Sequence, residues 1–262
     1  MVLIACQRRR VAVRLVNNRP LAIADCGDNR VLVEYHGNPW FVMSALIFDL
    51  DGTLVDTVYA HVFSWQRALA EAGMAVDGWR IHRRIGMSGG LFTRAVAREL
   101  GHDISPAQAE ALQQRHGELF QEFLPERRVL PGAIELLRFL REKGISHGIA
   151  TSGRRPEIDA SLDALGVGAE TLVVERGDVQ RAKPAPDLFL NCQQRLGVTV
   201  DECFVVGDAV WDLLAARRAR MLSIGLLSGG YGQDELTRAG AFRVYNDPSE
   251  LHASLDELGI LP

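Results

Sequence analysis

The chain has 262 residues, enough for one large domain or two small ones, and 47 % of them are apolar, ample for a core. A net charge of −4 and a pI near 6.0 exclude a nucleic-acid surface, and no apolar run is long enough to span a membrane as a helix. The four cysteines, Cys6, Cys26, Cys192 and Cys203, show no metal-ligand spacing and read as reduced thiols, which fits a cytoplasmic protein.

Residues 1–42 differ from the rest of the chain. They carry six arginines against Asp25, Asp28 and Glu34, or +3 against −7 for the remainder. Val11–Val16 and Val31–Tyr35 are β-like runs, and no helical period occurs. Leu3-Ile4-Ala5-Cys6 resembles a lipoprotein cleavage box, but no basic start and apolar stretch precede it. The chain has 27 arginines and two lysines, a bias expected of a GC-rich gene in which upstream stop codons are rare. Met43 is therefore the expected natural start, with a β-hairpin appendage as the rival reading. Mass spectrometry of the natural amino terminus decides between them.

From Met43 onward, strand and helix signals alternate, which implies an α/β fold with a parallel sheet and helices on both faces. The strands read as Ala45–Asp49, His147–Ala150, Thr171–Glu175, Cys203–Val206, Leu222–Gly225 and Phe242–Tyr245. The helices between them include Ile134–Lys143, Ile158–Leu165 and Trp211–Ala219. About 100 residues separate the first two strands, far more than a crossover needs. The excess, 57–130, reads as helices over Val62–Ala72, Leu91–Leu100 and Pro106–Phe123, the last with Ser105 as N-cap. The core is then 43–56 plus 131–262.

The chemistry concentrates at strand ends. Asp49-Leu50-Asp51-Gly52-Thr53 puts two carboxylates at the carboxyl end of the first strand, where open α/β sheets bind ligands. Two anions held together need compensation. A divalent cation supplies it, and one carboxylate can then act as nucleophile while the other handles protons. Three further segments come in order: Ala150-Thr151-Ser152-Gly153, Lys183-Pro184-Ala185-Pro186-Asp187, and Val206-Gly207-Asp208-Ala209-Val210-Trp211-Asp212.

With these four motifs the chain resembles the haloacid dehalogenase superfamily of phosphatases, from roughly Met43 to the C-terminus. The resemblance implies a Rossmann-like core and an inserted α-helical cap, as in the phosphoglycolate-phosphatase-like branch. It implies Asp49 as nucleophile, forming an aspartyl-phosphate, and Asp51 as general acid and base. It implies Mg²⁺ held by Asp49, the backbone carbonyl of Asp51 and Asp208, with Asp212 supporting. Thr151 and Ser152, before a helix, form a phosphate cradle, and Lys183 offsets the Asp49 charge. Arg84 and Ser88, in the cap loop with Met87, Gly89 and Gly90, are the expected substrate selectors. The loop Ser228–Gly232 has no assigned role, and the seven histidines form no catalytic pattern and read as surface or core.

The expected activity is Mg²⁺-dependent hydrolysis of a small phosphorylated metabolite by a monomer or homodimer. A sugar phosphomutase is the alternative, disfavoured by Gly207-Asp208 at the fourth motif and by the uncharged Ser88-Gly89-Gly90. A catalytically silent binding protein is the second alternative, and the intact acidic motifs argue against it.

Overall fold

The computed structural model describes residues 11–16, 19–26, 29–34, 45–168 and 170–260. Leu3–Cys6, Tyr35 and Met43 lie outside them. The chain divides into two units, Met1–Val42 and Met43–Pro262.

In the first unit the described residues form an antiparallel meander of β1 (Val11–Val16), β2 (Arg19–Cys26) and β3 (Asn29–Glu34). Val16 pairs with Arg19 and Cys26 with Asn29, so each connection is two residues long and fixes the register. The sequence pattern missed the middle strand, whose Pro20 interrupts a run that would otherwise read as β.

The second unit is built on a six-stranded sheet. Its strands are β4 (Ala45–Phe48), β5 (Ser146–Ala150), β6 (Leu172–Val174), β7 (Cys203–Gly207), β8 (Leu222–Leu226) and β9 (Arg243–Tyr245). The order is β6-β5-β4-β7-β8-β9 and every pairing is parallel. The chain winds outward from β4 to β6 and then, from β7 to β9, in the other direction. β4 and β7 therefore flank the topological switch point, where loops diverge and leave a crevice at the carboxyl ends.

Side chains of a strand alternate between faces, so a sheet covered on both sides must be apolar throughout. β4 shows this: Leu46 and Phe48 pack on one face, Ala45 and Ile47 on the other, all buried. The first face is covered by α5 (Ala133–Glu142), α6 (Asp159–Ala164) and α10 (Pro248–Ala253) through Leu136, Leu162 and Leu251. The opposite face is covered by α7 (Asp187–Leu196) and α8 (Val210–Ala219) through Leu188, Phe189, Ala215 and Ala216. α9 (Gln233–Ala239) precedes the edge strand β9.

Between β4 and α5 lie the cap helices α1 (Val58–Glu71), α2 (Gly78–His82), α3 (Gly89–Glu99) and α4 (Pro106–Phe123). They bury their own cluster, including Val62, Trp65, Leu69, Ile81, Phe92 and Val96. α4 runs over the residues its sequence indicates because Ser105 and Gln108 form a reciprocal capping box ahead of Pro106. α1 starts four residues before its apolar period, and α2 is too short to show one. None of the described helices is long and apolar enough to cross a membrane.

Candidate active site

The first acidic motif turns sharply after β4. Leu50 accepts from the N–H groups of Leu54 and Val55 at 2.9 and 3.1 Å, and Gly52 takes φ +84°, a conformation that side-chain-bearing residues avoid. A Cβ on Gly52 would also lie 2.5 Å from Asp208 Oδ2. This turn sends Asp49 and Asp51 from one strand end into a cavity of about 320 Å³ at the switch point.

The floor beside Asp49 is a buried charge cluster. Oxygens of Asp49, Asp208 and Asp212 lie within 4.8 Å of one another. Lys183, fully buried, pairs with Asp49 and places Nζ 3.0 Å from Asp212 Oδ1. Asp208 Oδ1 accepts from the Thr53 hydroxyl at 2.8 Å, and Asp212 Oδ2 accepts from the Ala209 N–H at 3.1 Å. Burial, then the neighbouring carboxylates Asp212 and Asp51, push the Asp49 carboxyl up to about 7 despite Lys183. Burial and the same crowding, from Asp212 and Asp49, raise Asp208 well above the carboxylate range. Burial acts against the Lys183 ammonium, yet Asp212 and Asp49 outweigh it and raise its pKa.

Three carboxylates against one ammonium crowd a buried site with negative charge, and Asp212 Oδ1 has only the Lys183 ammonium, which it shares with Asp49. An all-oxygen donor set with spare anionic charge suits a hard divalent cation, so the residues present fit one.

Asp51 is held differently. Its Oδ1 accepts from the Thr57 hydroxyl at 2.7 Å and lies 3.3 Å from His61 Nε2. Burial pushes this carboxyl up, but His61 and the Thr57 hydroxyl more than offset it and hold it below the usual range. The two carboxylates of one motif thus differ: Asp49 is crowded by anions and Asp51 is supported by donors.

His61 belongs to an aromatic wall that the sequence did not reveal. Its ring stacks on Phe120 at 3.9 Å and 6°, and its Nδ1 is 3.1 Å from His116 Nε2. His116 stacks on Trp65 at 4.1 Å, and burial, then His61, hold it well below the ordinary histidine range. The reading of every histidine as surface or core is corrected for His61 and His116, which line the cavity. The signal was faint: a histidine one turn inside the first cap helix, facing an acidic motif that only the fold brings beneath it.

The remaining expected residues fall into two groups. Thr151, buried at the end of β5, lines the cavity, and its Oγ1 accepts from Gly153 N–H at 3.0 Å. No helix begins directly after it, since α6 starts only at Asp159. The expected cradle at a helix N-terminus is therefore corrected to a turn at Thr151–Gly153. Ser152 lines the cavity too, but its hydroxyl donates to the cap carbonyl of Gly86 at 3.3 Å. Arg84 lines the cavity while pairing with Glu99 and donating to the Arg80 carbonyl at 2.7 Å. Ser88 is buried at the N-cap of α3, and its N–H donates to the Lys183 carbonyl at 3.3 Å. It is a joint between cap and core, outside the cavity lining. From the core, Arg154, Glu157 and Arg176 join the lining opposite Glu110, Gln113 and Gln114 of α4.

Fold and site together define a capped α/β enzyme with an acidic centre at its switch point. The family model for haloacid dehalogenase-like hydrolases matches residues 43–220. A crystal structure of a hydrolase from Pseudomonas syringae superposes with a TM-score of 0.80 at 46 % identity, over 82 % of this chain and 99 % of that one. Phosphoglycolate phosphatase of Rhodospirillum rubrum is 31 % identical over 214 residues, 79 % of this chain and 88 % of the relative. Beta-phosphoglucomutase of Bacillus subtilis is 29 % identical over 220 residues, 81 % of this chain and 93 % of the relative. The chain belongs to the haloacid dehalogenase-like hydrolases, in the branch that resembles the phosphoglycolate phosphatases.

Proposed function

We propose that the protein is a Mg²⁺-dependent phosphomonoester hydrolase acting on a small phosphorylated metabolite through an aspartyl-phosphate. One observation carries the reading. The carboxylates of Asp49 and Asp51 face the same cavity from one turn, with Thr151 beside them.

In the first step a carboxylate oxygen of Asp49 attacks phosphorus in line with the ester oxygen. The substrate's phosphate charge raises the Asp51 carboxyl on binding, so Asp51 enters this step protonated and gives its proton to the departing oxygen as the phosphorus–ester bond breaks. In the second step Asp51, now ionised, takes a proton from water. The resulting hydroxide attacks the same phosphorus, and Asp49 leaves as carboxylate with release of inorganic phosphate. Lys183 holds the Asp49 charge and the transferring phosphoryl oxygens, and the Thr151 hydroxyl orients them. Asp49, Asp208 and Asp212, with the backbone carbonyl of Asp51, would hold the Mg²⁺. The bound cation shields the phosphate so that an anionic nucleophile can approach. The helical cap, 57–130, covers the core, 43–56 and 131–262, and the cavity between them admits a small leaving group and excludes bulk water.

The test is phosphate release from a panel of phosphomonoesters with and without Mg²⁺. Steady release that chelation abolishes and excess Ca²⁺ inhibits is the expected result. An isomerised phosphosugar without net release would support a mutase instead, and no turnover of any ester would leave a binding protein.

A further inference from the structure

The loop Ser228–Gly232 takes no part in the two chemical steps, yet it touches three parts of the site at once. Toward the catalytic turn, the Ser228 hydroxyl donates to the Gly52 carbonyl at 2.6 Å. Toward the cation centre, Gly229 is packed so closely on Asp208 that a Cβ there would overlap Oδ2. Toward the cap, the Gly229 carbonyl accepts from His82 Nε2 at 2.8 Å, and the Tyr231 hydroxyl donates to the Arg83 carbonyl at 2.9 Å.

The cap side of this joint is itself well held. His82 stacks on Tyr59 at 5.6 Å and meets the tilted ring of Tyr231 at 5.5 Å. The Arg83 carbonyl also accepts from Trp211 Nε1 at 3.1 Å, and its guanidinium lies over the Tyr231 ring while pairing with Glu235. Gly230 takes φ +90°, and a Cβ on it would meet Tyr59 Oη at 2.8 Å and His82 Nε2 at 2.9 Å. Both glycines are thus required by close approach, Gly229 to a carboxylate and Gly230 to the cap.

Asp208 is clasped from both sides: Gly52 and Gly229 press on Oδ2, and Thr53 donates to Oδ1. Neither glycine is anchored by its own side chain. Gly52 is tied through Ser228, and Gly229 is tied through His82 in the cap. A chain of one hydrogen bond and one packing contact therefore joins a cap residue to a carboxylate of the cation centre.

We propose that the Ser228–Gly232 loop and His82 form a positioning device for Asp208, so that the seating of the cap and the cation affinity of the centre are one property. The proposal rests on the reading of Asp49, Asp208 and Asp212 as the cation site. His82 acts here as a hydrogen-bond donor to Gly229, through which it fixes Asp208. Groups bonded directly to metal ligands commonly set affinity by about 10–100-fold, and His82, one contact further out, is expected at the low end of that range.

The test uses the full chain and Mn²⁺ as probe, with free Mn²⁺ read by electron paramagnetic resonance and no substrate present. His82→Phe keeps an aromatic ring between Tyr59 and Tyr231 but removes the donor. It is expected to weaken Mn²⁺ binding by about tenfold, although the ring lies in the cap and is not itself a ligand. His82→Gln restores an N–H donor and is expected to recover most of that loss. Gly229→Ala, which drives a methyl into Asp208, is expected to abolish binding. Circular dichroism checks that each variant is folded, and a failure of Gly229→Ala to fold leaves the His82 pair to decide. Mn²⁺ affinity of His82→Phe within twofold of wild type overturns the device while leaving the cation site standing. Wild-type protein that binds no Mn²⁺ overturns the cation site, and the device with it.

Discussion

The floor and the cap wall of the cavity are built on opposite principles. On the floor, Asp49 lines the cavity with Lys183, Asp208 and Asp212 buried beside it; all are at most 4 % exposed, Lys183 joins Asp49 to Asp212, and Thr53 holds Asp208. Asp49 and Asp208 follow the ends of β4 and β7, Asp212 lies in the first turn of α8, and Lys183 comes from the turn ahead of α7. On the cap wall, Arg84 bonds to Glu99 of its own helix cluster, and Gln113 bonds to Glu110 and to the Ala109 carbonyl. These side chains belong to surface networks that rearrange at small cost. A rigid, desolvated floor suits one invariant chemistry, whereas a half-exposed wall suits selection among leaving groups.

The sharpest break of that contrast is at Asp49, the proposed nucleophile. Asp49→Asn keeps the shape and removes the anion. Turnover is expected to fall by at least about 10³-fold on every substrate, with the circular-dichroism spectrum unchanged. Near-normal turnover would end the aspartyl-phosphate mechanism.

Next is Lys183. Removing it strands the buried carboxylates of Asp49 and Asp212, and loss of one partner of a buried ion pair typically costs about 3–5 kcal/mol. Urea unfolding of Lys183→Met should show a loss on that order in chelator, partly recovered by Mg²⁺. Equal stability of variant and wild type in chelator would count against a floor held by charge.

His61 lies where the two regions meet, a cap residue supporting a floor carboxylate. His61→Ala removes a group that holds the Asp51 carboxyl down, so the step that needs Asp51 ionised, hydrolysis of the aspartyl-phosphate, should slow by about tenfold on alkyl phosphates and p-nitrophenyl phosphate alike. A loss confined to alkyl phosphates would instead place His61 in the acid step.

Changes on the cap wall should be milder and selective. Arg84→Ala is expected to alter kcat/KM ratios between substrates by less than about tenfold, without a common loss of rate. A uniform loss across the panel would remove Arg84 from selection.

The smallest effect concerns the cap surface. Arg115 and Arg67 bond to Glu71 and hold its carboxyl at about 2, below its ordinary 4.5. A depressed carboxyl stabilises the fold above its unfolded pKa, and that contribution fades as pH falls through the folded value. The Tm difference between wild type and Glu71→Gln should therefore be small at pH 7 and shrink as pH drops from 4.5 toward 2. A difference that grows on acidification would contradict the sign.

The catalytic strands and the acidic motifs were legible in the sequence because both are local. A short apolar run that ends in Asp-x-Asp-Gly has one reasonable place in an α/β sheet. The capping box of Ser105 and Gln108 likewise fixes α4 from four neighbouring residues. What those carboxylates face came only from tertiary contact. Asp49 and Asp51 are two residues apart, yet one meets Lys183, which is 134 positions away, and the other meets Thr57 and His61. The same folding joined Gly229 to Asp208, and His82 to Gly229 across 147 positions. Such contacts leave no periodic trace. A donor, a glycine and a carboxylate become a device only when the sheet's switch point and the inserted helices bring them within bonding distance, and their environments then set their charges.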